Sequence, residues 1–79
     1  MAVQVKLSAS LRSRVAGYDP LEGLAVEVEE PMQVQDLLGR LGLAPRDVKI
    51  VMVNGRHADL DHPLHDGDRV ALFPAVGGG

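Results

Sequence analysis

Seventy-nine residues with eleven acids against eight bases, a net charge of −3 and no cysteine describe one small acidic domain. A chain of this length buries only about 60 to 65% of its unfolded surface, which leaves no room for a second domain. The lack of cysteine excludes disulfides, thiolate metal sites and a cysteine nucleophile within the chain, and agrees with an intracellular protein. The longest unbroken apolar run, Ile50 to Val53, falls far short of the roughly twenty residues of a membrane span. The opening Met1-Ala2-Val3-Gln4-Val5-Lys6 lacks the layout of a signal peptide. The expectation is a cytoplasmic protein with no membrane partner. The bases are scattered singly apart from Arg12 and Arg14, and Tyr18 and Phe73 are the only aromatics. No base-stacking platform can be built from these, so nucleic acid is not an expected partner.

Val3, Val5 and Leu7 alternate with Gln4 and Lys6, the period-2 pattern of a strand with one buried face. Between Ser8 and Tyr18 the Leu11/Val15 spacing predicts a turn of helix inside a loop, broken by Gly17 and Asp19-Pro20. Leu24, Val26 and Val28 alternate again and predict a second strand, with Glu27 and Glu29 on its solvent side. Pro31 ends it. Val34, Leu37, Leu38 and Leu41 fall at i, i+3, i+4 and i+7, which predicts a helix over Val34 to Leu41, closed by Gly42 and Pro45. Its start is poorly signalled, since neither Met32 nor Gln33 is a favoured N-cap.

Val48 to Val53 predicts a strand apolar on both faces. Asn54-Gly55 is the strongest two-residue hairpin signal and should turn it back into a short strand at Arg56 to Ala58. Leu60 and Leu64 should anchor the loop that follows. Asp66-Gly67-Asp68 is turn chemistry feeding a last strand, Arg69 to Phe73. Five strands and one amphipathic helix suit an α+β layer architecture, a mixed five-stranded sheet with the helix lying across one face. The apolar second face, to which Ala71 and Phe73 contribute, has two readings: it is covered by the Ser8 to Gly23 loop, or it is a docking patch near the C-terminus.

Pro74 cannot donate to a sheet ladder, so pairing should end near it and residues 75–79 should project as a flexible tail. Five or six extended residues reach roughly 20 Å, far enough to enter another protein's active site. Three terminal glycines, Gly77 to Gly79, are read either as a plain flexible end or as a reactive tip whose lack of Cβ lets it pass a narrow channel.

The element order, the Val-x-x-Leu-Leu-x-x-Leu-Gly stretch at Val34 to Gly42, the Val53-Asn54-Gly55 hairpin, Asp66-Gly67-Asp68 and Phe73-Pro74 leading to a glycine end together resemble the ubiquitin-like β-grasp sulfur carriers of the MoaD/ThiS family. The likeness covers essentially the whole chain and leans toward the molybdopterin-synthase small-subunit type; the third glycine, Gly77, departs from the usual diglycine. The resemblance implies that the carboxylate of Gly79, presented by Gly78, is adenylated by a ubiquitin-activating-type enzyme using ATP and then becomes a thiocarboxylate that donates sulfur in cofactor biosynthesis, molybdopterin or tungstopterin before thiamin. It implies a carrier rather than an enzyme, with no bound cofactor, sulfur supplied by a partner's persulfide, and a molybdopterin-synthase large subunit as a further partner. Phe73, Pro74, Val76 and Gly77 would then contact those partners. A modifier joined through Gly79 to lysines, and a non-activated β-grasp interaction module, are the alternatives.

The segment Asp59-Leu60-Asp61-His62-Pro63-Leu64-His65-Asp66-Gly67-Asp68 is rich in carboxylates and imidazoles. It lacks the order of a calcium loop, Pro63 breaks a His62/His65 helical pair, and no second cluster completes a zinc site. It is read as a turn-forming loop with no metal, and His57 as an exposed hairpin residue.

Overall fold

The computed structural model describes residues 1–75. Strand β1 (Ala2–Leu7) is followed by a 3-10 turn at Ala9–Arg14, β2 (Leu24–Glu27), β3 (Met32–Gln33), helix α1 (Val34–Leu41), a second 3-10 turn at Pro45–Asp47, β4 (Val48–Val53), β5 (Arg56–His57), β6 (Pro63–Leu64) and β7 (Arg69–Pro74). Five strands form one sheet in the order β2-β1-β7-β4-β5. The pairing of β1 with β7 is parallel, and the other three ladders are antiparallel. The sheet is therefore mixed, as the patterning predicts, and the last long strand lies at its centre.

Period-2 patterning explains the core. Val3, Val5 and Leu7 of β1, Val51 and Val53 of β4, and Val70 and Leu72 of β7 are all buried. They meet across the ladders as Val5 with Val70, Leu7 with Leu72, Val51 with Leu72 and Val53 with Val70. The helical stripe Val34, Leu37 and Leu38 closes this layer, and Leu11, Met32, Leu43 and Leu64 fill its margins. Each fully buried Val or Leu contributes about 1.5 to 3 kcal/mol relative to exposure, which is why a chain this short can hold a sheet at all.

The start of α1 shows why its sequence signal is weak. Capping is partly tertiary: the Val34 and Gln35 amides donate to the carbonyls of His62 and Leu60 at 3.0 and 2.8 Å. The Gln33 amide donates to the Asp36 carboxylate at 2.9 Å. The N–H groups at the helix start are thus shared between a local capping box, Gln33 with Asp36, and the carbonyls of the following loop. That loop is held by a small second sheet, β3 paired with β6, which strand patterning does not predict because two residues carry no period. At the other end Gly42, at φ +77°, and Leu43 donate back to Gly39 and Leu38. This is a Schellman closure, and the buried Leu43 and Leu38 side chains accompany it.

The expected strand ends shift slightly. β2 stops at Glu27 and β5 at His57, but the Val28 and Ala58 amides continue the pairing to Met1 and Val51 carbonyls. The expected helical turn after Ser8 is the 3-10 turn at Ala9–Arg14. β7 includes Pro74, opposite Val48, one residue beyond the expected end, because proline lacks only the donor and can close a ladder as its final residue.

Candidate functional site

The register of β7 decides where the chain leaves the sheet, and the Asp66-Gly67-Asp68 turn sets that register. The Asp66 carboxylate accepts from the Ala2 amide at 2.8 Å, and the Gly67 amide donates to the Ala2 carbonyl at 2.8 Å. Asp68 accepts from the Asn54 side-chain amide at 2.9 Å and from the His65 amide at 2.8 Å. Asn54 in turn accepts from the Arg69 amide at 2.9 Å. Asn54 and Gly55 both have positive φ, 53° and 82°, the type I′ geometry that an Asn-Gly pair adopts readily. One hydrogen-bonded knot thus ties β1, the β4–β5 hairpin and the first residue of β7 together. Burial pulls the Asp68 carboxyl upward, but the hydrogen bonds from Asn54 and His65 and the nearby His65 and His62 hold it below its ordinary value.

From this anchor β7 runs through the middle of the sheet with two different faces. Val70, Leu72 and Pro74 point into the buried layer, while Ala71 and Phe73 stand half-buried on the opposite side. There Phe73 lies across from Ile50 and Ala71 across from Met52. Ile50 remains 38% exposed. The Ser8 to Gly23 loop turns its apolar residues away from this second face: Leu11 is buried in the core that α1 closes, and Val15 and Tyr18 pack against the same core. Its far turn is held over β1 by the Gln4 amide donating to the Glu22 carbonyl at 2.8 Å and the Lys6 ammonium to the Leu21 carbonyl at 3.3 Å. The loop meets the second face only through that turn, where Lys6 and Leu21 stay exposed, and an apolar strip of Ile50, Met52, Ala71 and Phe73 stays open at the β4–β7 side.

The strip ends where the chain exits. Pro74 is buried as the last residue of β7, and Ala75 is exposed. The Ser8 amide donates to the Leu72 carbonyl at 3.1 Å, carrying the β1–β7 pairing to its limit. The Tyr18 hydroxyl accepts from the Leu7 amide at 2.9 Å, bracing that corner. Of the predicted partner-contact residues, Phe73 sits on the open face and Pro74 faces inward. Val76, Gly77, Gly78 and Gly79 lie outside the described residues. Leu21 escaped the sequence reading; it is 86% exposed, and its one signal is being apolar between Pro20 and Glu22 in a polar loop.

The acid- and histidine-rich segment is put to structural use. His62 supplies a carbonyl to α1, Asp66 and Asp68 hold the knot, and His57 and His65 are exposed. Among the described residues no group of three acidic, histidine or cysteine side chains is placed to hold a metal ion, and no cavity is found. Among the described residues no helix is long and apolar enough to cross a membrane.

A five-stranded mixed sheet crossed by one helix, with the central strand running out at the chain's end, is the ubiquitin-like β-grasp architecture. SAMP1 of Haloferax volcanii, a small archaeal modifier protein, superposes with a TM-score of 0.73 at 28% identity, all of both chains being covered. More narrowly, the chain belongs to the ThiS family, whose profile matches residues 5–79. It is similar to the molybdopterin synthase sulfur carrier subunit of Escherichia coli (strain K12), 51% identical over 41 residues. That alignment spans about half of each chain. Subunit 1 or 2 in the complex of molybdopterin-converting factor from Helicobacter pylori shares the fold, with a TM-score of 0.64, 24% identity and all of both chains covered.

Proposed function

We propose that this protein is a sulfur carrier that acts through the carboxylate of Gly79. The observation that carries the reading is the placement of β7. The strand at the centre of the sheet, registered by the Asp66–Asp68 knot, ends at Pro74 beside an open apolar strip, and the ThiS profile continues through residue 79. The sheet thus fixes the point, Pro74, from which the glycine-ended segment continues. Five extended residues beyond Pro74 span roughly 17 Å.

A carboxylate resists acyl transfer until it carries a good leaving group. A ubiquitin-activating-type partner would attach the Gly79 carboxylate to the α-phosphorus of ATP, releasing pyrophosphate and giving an acyl-adenylate. A persulfide on a partner would then attack the acyl carbon and expel AMP, and a second partner thiol would cleave the sulfur–sulfur bond. Gly79 would be left as a thiocarboxylate. With no cysteine in the chain, every sulfur atom in those steps comes from partners, and the chain contributes position rather than a catalytic side chain. Similarity to the sulfur carrier subunit supports molybdopterin or tungstopterin assembly as the destination, with a large synthase subunit docking on the Phe73–Ile50 strip. The likeness to SAMP1 favours a second reading, in which the activated Gly79 is passed to lysine amines.

Incubation with the cognate adenylating enzyme and ATP tests both. The full chain should release pyrophosphate and, with a persulfide donor, gain the mass of one oxygen exchanged for sulfur. A chain lacking Gly79 should do neither. Continued adenylation of that truncated chain would sink the carrier reading; lysine-linked Gly79 remnants in cellular tryptic peptides, without thiocarboxylate, would favour the modifier.

A further inference from the structure

Along the sequence the bases are scattered, but the fold gathers half of them at one place. The two 3-10 turns flank the end of β7. The first, Ala9–Arg14, follows Ser8, whose amide bonds Leu72; the second, Pro45–Asp47, leads directly into Val48, the residue opposite Pro74. They are joined to each other by the Arg14 guanidinium, 3.3 Å from the Asp47 carboxylate. Arg12 is fixed through its Nε, which donates to the Leu7 carbonyl at 3.1 Å, at the end of β1 that pairs with Leu72. Lys49 occupies the irregularity in β4 between the partners of Pro74 and Phe73. Arg12, Arg14, Arg46 and Lys49 are all exposed. The two turns and Lys49 together carry four bases and the acid Asp47, a local excess of +3 in a chain of net −3 that leaves −6 on the remaining residues, among them Asp19 and Glu22 in the turn beside β1.

We propose that Arg12, Arg14, Arg46 and Lys49 form an electrostatic docking rim around the exit of the tail, which seats on an acidic protein surface bordering the entrance of the site that receives Gly79. The inference rests on the carrier reading and names the charge of the partner face. Position supports it: the rim encircles the base of the segment that must enter another protein, so whatever surrounds that entrance meets these cations first. Composition selects a protein over a phosphate surface. The rim borders the apolar strip of Ile50 and Phe73, and an apolar centre with a charged margin is the anatomy of a protein interface. A long polyanion would instead be repelled by the −6 carried elsewhere, with only a few phosphates neutralised in return. Arg14, pinned by Asp47, keeps the two turns in register, and the other three cations supply the field. A dipolar charge distribution of this kind orients the molecule tail-first as it approaches an acidic face and raises the association rate.

The test is association of the full chain with its adenylating enzyme, followed by stopped-flow fluorescence at about 20 mM and about 500 mM salt. Arg46→Glu/Lys49→Glu is the main variant, because neither side chain makes a hydrogen bond among the described residues. Arg56→Glu/Arg69→Glu matches its charge change at the opposite end of the sheet. The main variant should associate roughly 10-fold more slowly at low salt and within about 2-fold of wild type at high salt, with a thermal midpoint lowered by no more than about 4 °C through the loss of Arg46 beside Asp47, while the control stays within about 2-fold throughout. Arg12→Gln should give a smaller loss in the same direction. Equal slowing by the control would assign the effect to net charge and overturn the rim, as would unchanged association of the main variant or a loss that persists at high salt. If the main variant loses affinity for inorganic pyrophosphate or single-stranded RNA and keeps the wild-type rate toward the enzyme, the cations read phosphate and the proposal fails. Pyrophosphate release by the wild-type chain is scored separately: binding without release would count against the carrier reading and leave the rim standing.

Discussion

Leu72 and Phe73 are neighbours on β7 that face opposite ways, and replacing each in turn tests the assignment of the two faces. Leu72 is fully buried against Leu7 and Val51. Leu72→Ala should cost about 3 kcal/mol, within the 2 to 5 kcal/mol that core Leu→Ala changes lose. In a domain of 60 to 100 residues each kcal/mol moves the thermal midpoint by about 4 to 8 °C, so a fall of about 12 to 24 °C is expected. Phe73 is half-buried, across from Ile50. Phe73→Glu forfeits about half of a buried side chain's 1.5 to 3 kcal/mol, roughly 1 kcal/mol, and should lower the midpoint by about 4 to 8 °C. Its effect on docking should be larger. An apolar anchor at the centre of an interface is worth about 2 kcal/mol or more, so affinity for the adenylating enzyme or the large subunit should fall by roughly 30-fold. Melting followed by circular dichroism and a binding titration measure both quantities on the same samples. A midpoint loss for Phe73→Glu as large as that for Leu72→Ala would place Phe73 in the core and refute the open strip.

Three further outcomes follow from the geometry. Gly39 is an exposed residue of α1 with nothing within 4 Å of an added Cβ, so Gly39→Ala should raise stability by about 0.5 to 1 kcal/mol, read as a higher midpoint. Gly23 has φ +78°, and a Cβ there would stand 2.9 Å from the Val5 carbonyl oxygen and 2.9 Å from the Gln4 amide; Gly23→Ala should cost about 1 to 2 kcal/mol in backbone strain alone and loosen the Leu21–Glu22 turn from Gln4 and Lys6. Asp47 is held below the ordinary carboxylate value of 3.8 first by the Ala44 amide and then, against a desolvation cost, by Arg14 and Arg46, as Asp68 is by its own partners. Because both folded-state values are depressed, the stability they add is fully present above about pH 4 and is lost as pH falls through the folded-state values. Asp68→Asn should flatten that acid limb in a melting series; an equally steep limb would count against the knot.

Period and turn chemistry made most of the architecture legible. The i, i+3, i+4, i+7 leucines marked α1 to the residue, Gly42 marked its end, and Asn54-Gly55 marked the hairpin, because each signal is local and acts through backbone preferences or a single apolar stripe. Signals failed where the stabilising partner is distant. Met32–Gln33 and Pro63–Leu64 are too short to show a period, and they exist because each pairs with the other across thirty residues. Gln33 looked like a poor cap because the Val34 and Gln35 amides are satisfied by the distant carbonyls of His62 and Leu60, beside the local bond from Asp36. The site followed the same division. Phe73 and Pro74 could be singled out from the strand pattern and the proline, whereas Leu21 and Lys49 could not.

By itself the sequence determined the α+β class, one helix, the order of the long strands and a glycine-ended segment after Pro74, since these depend on alternation, turn residues and the position of a missing amide. Tertiary structure alone decided which strand is central, that the Ser8 to Gly23 loop packs into the core and leaves the Ile50–Phe73 strip open, and that Arg12, Arg14, Arg46 and Lys49 stand together around the exit of β7. Those features depend on the parallel register of β1 with β7, whose partners such as Gln4 and Arg69 lie 65 residues apart, and on the antiparallel register of β4 with β7, and no local pattern encodes a register between distant segments.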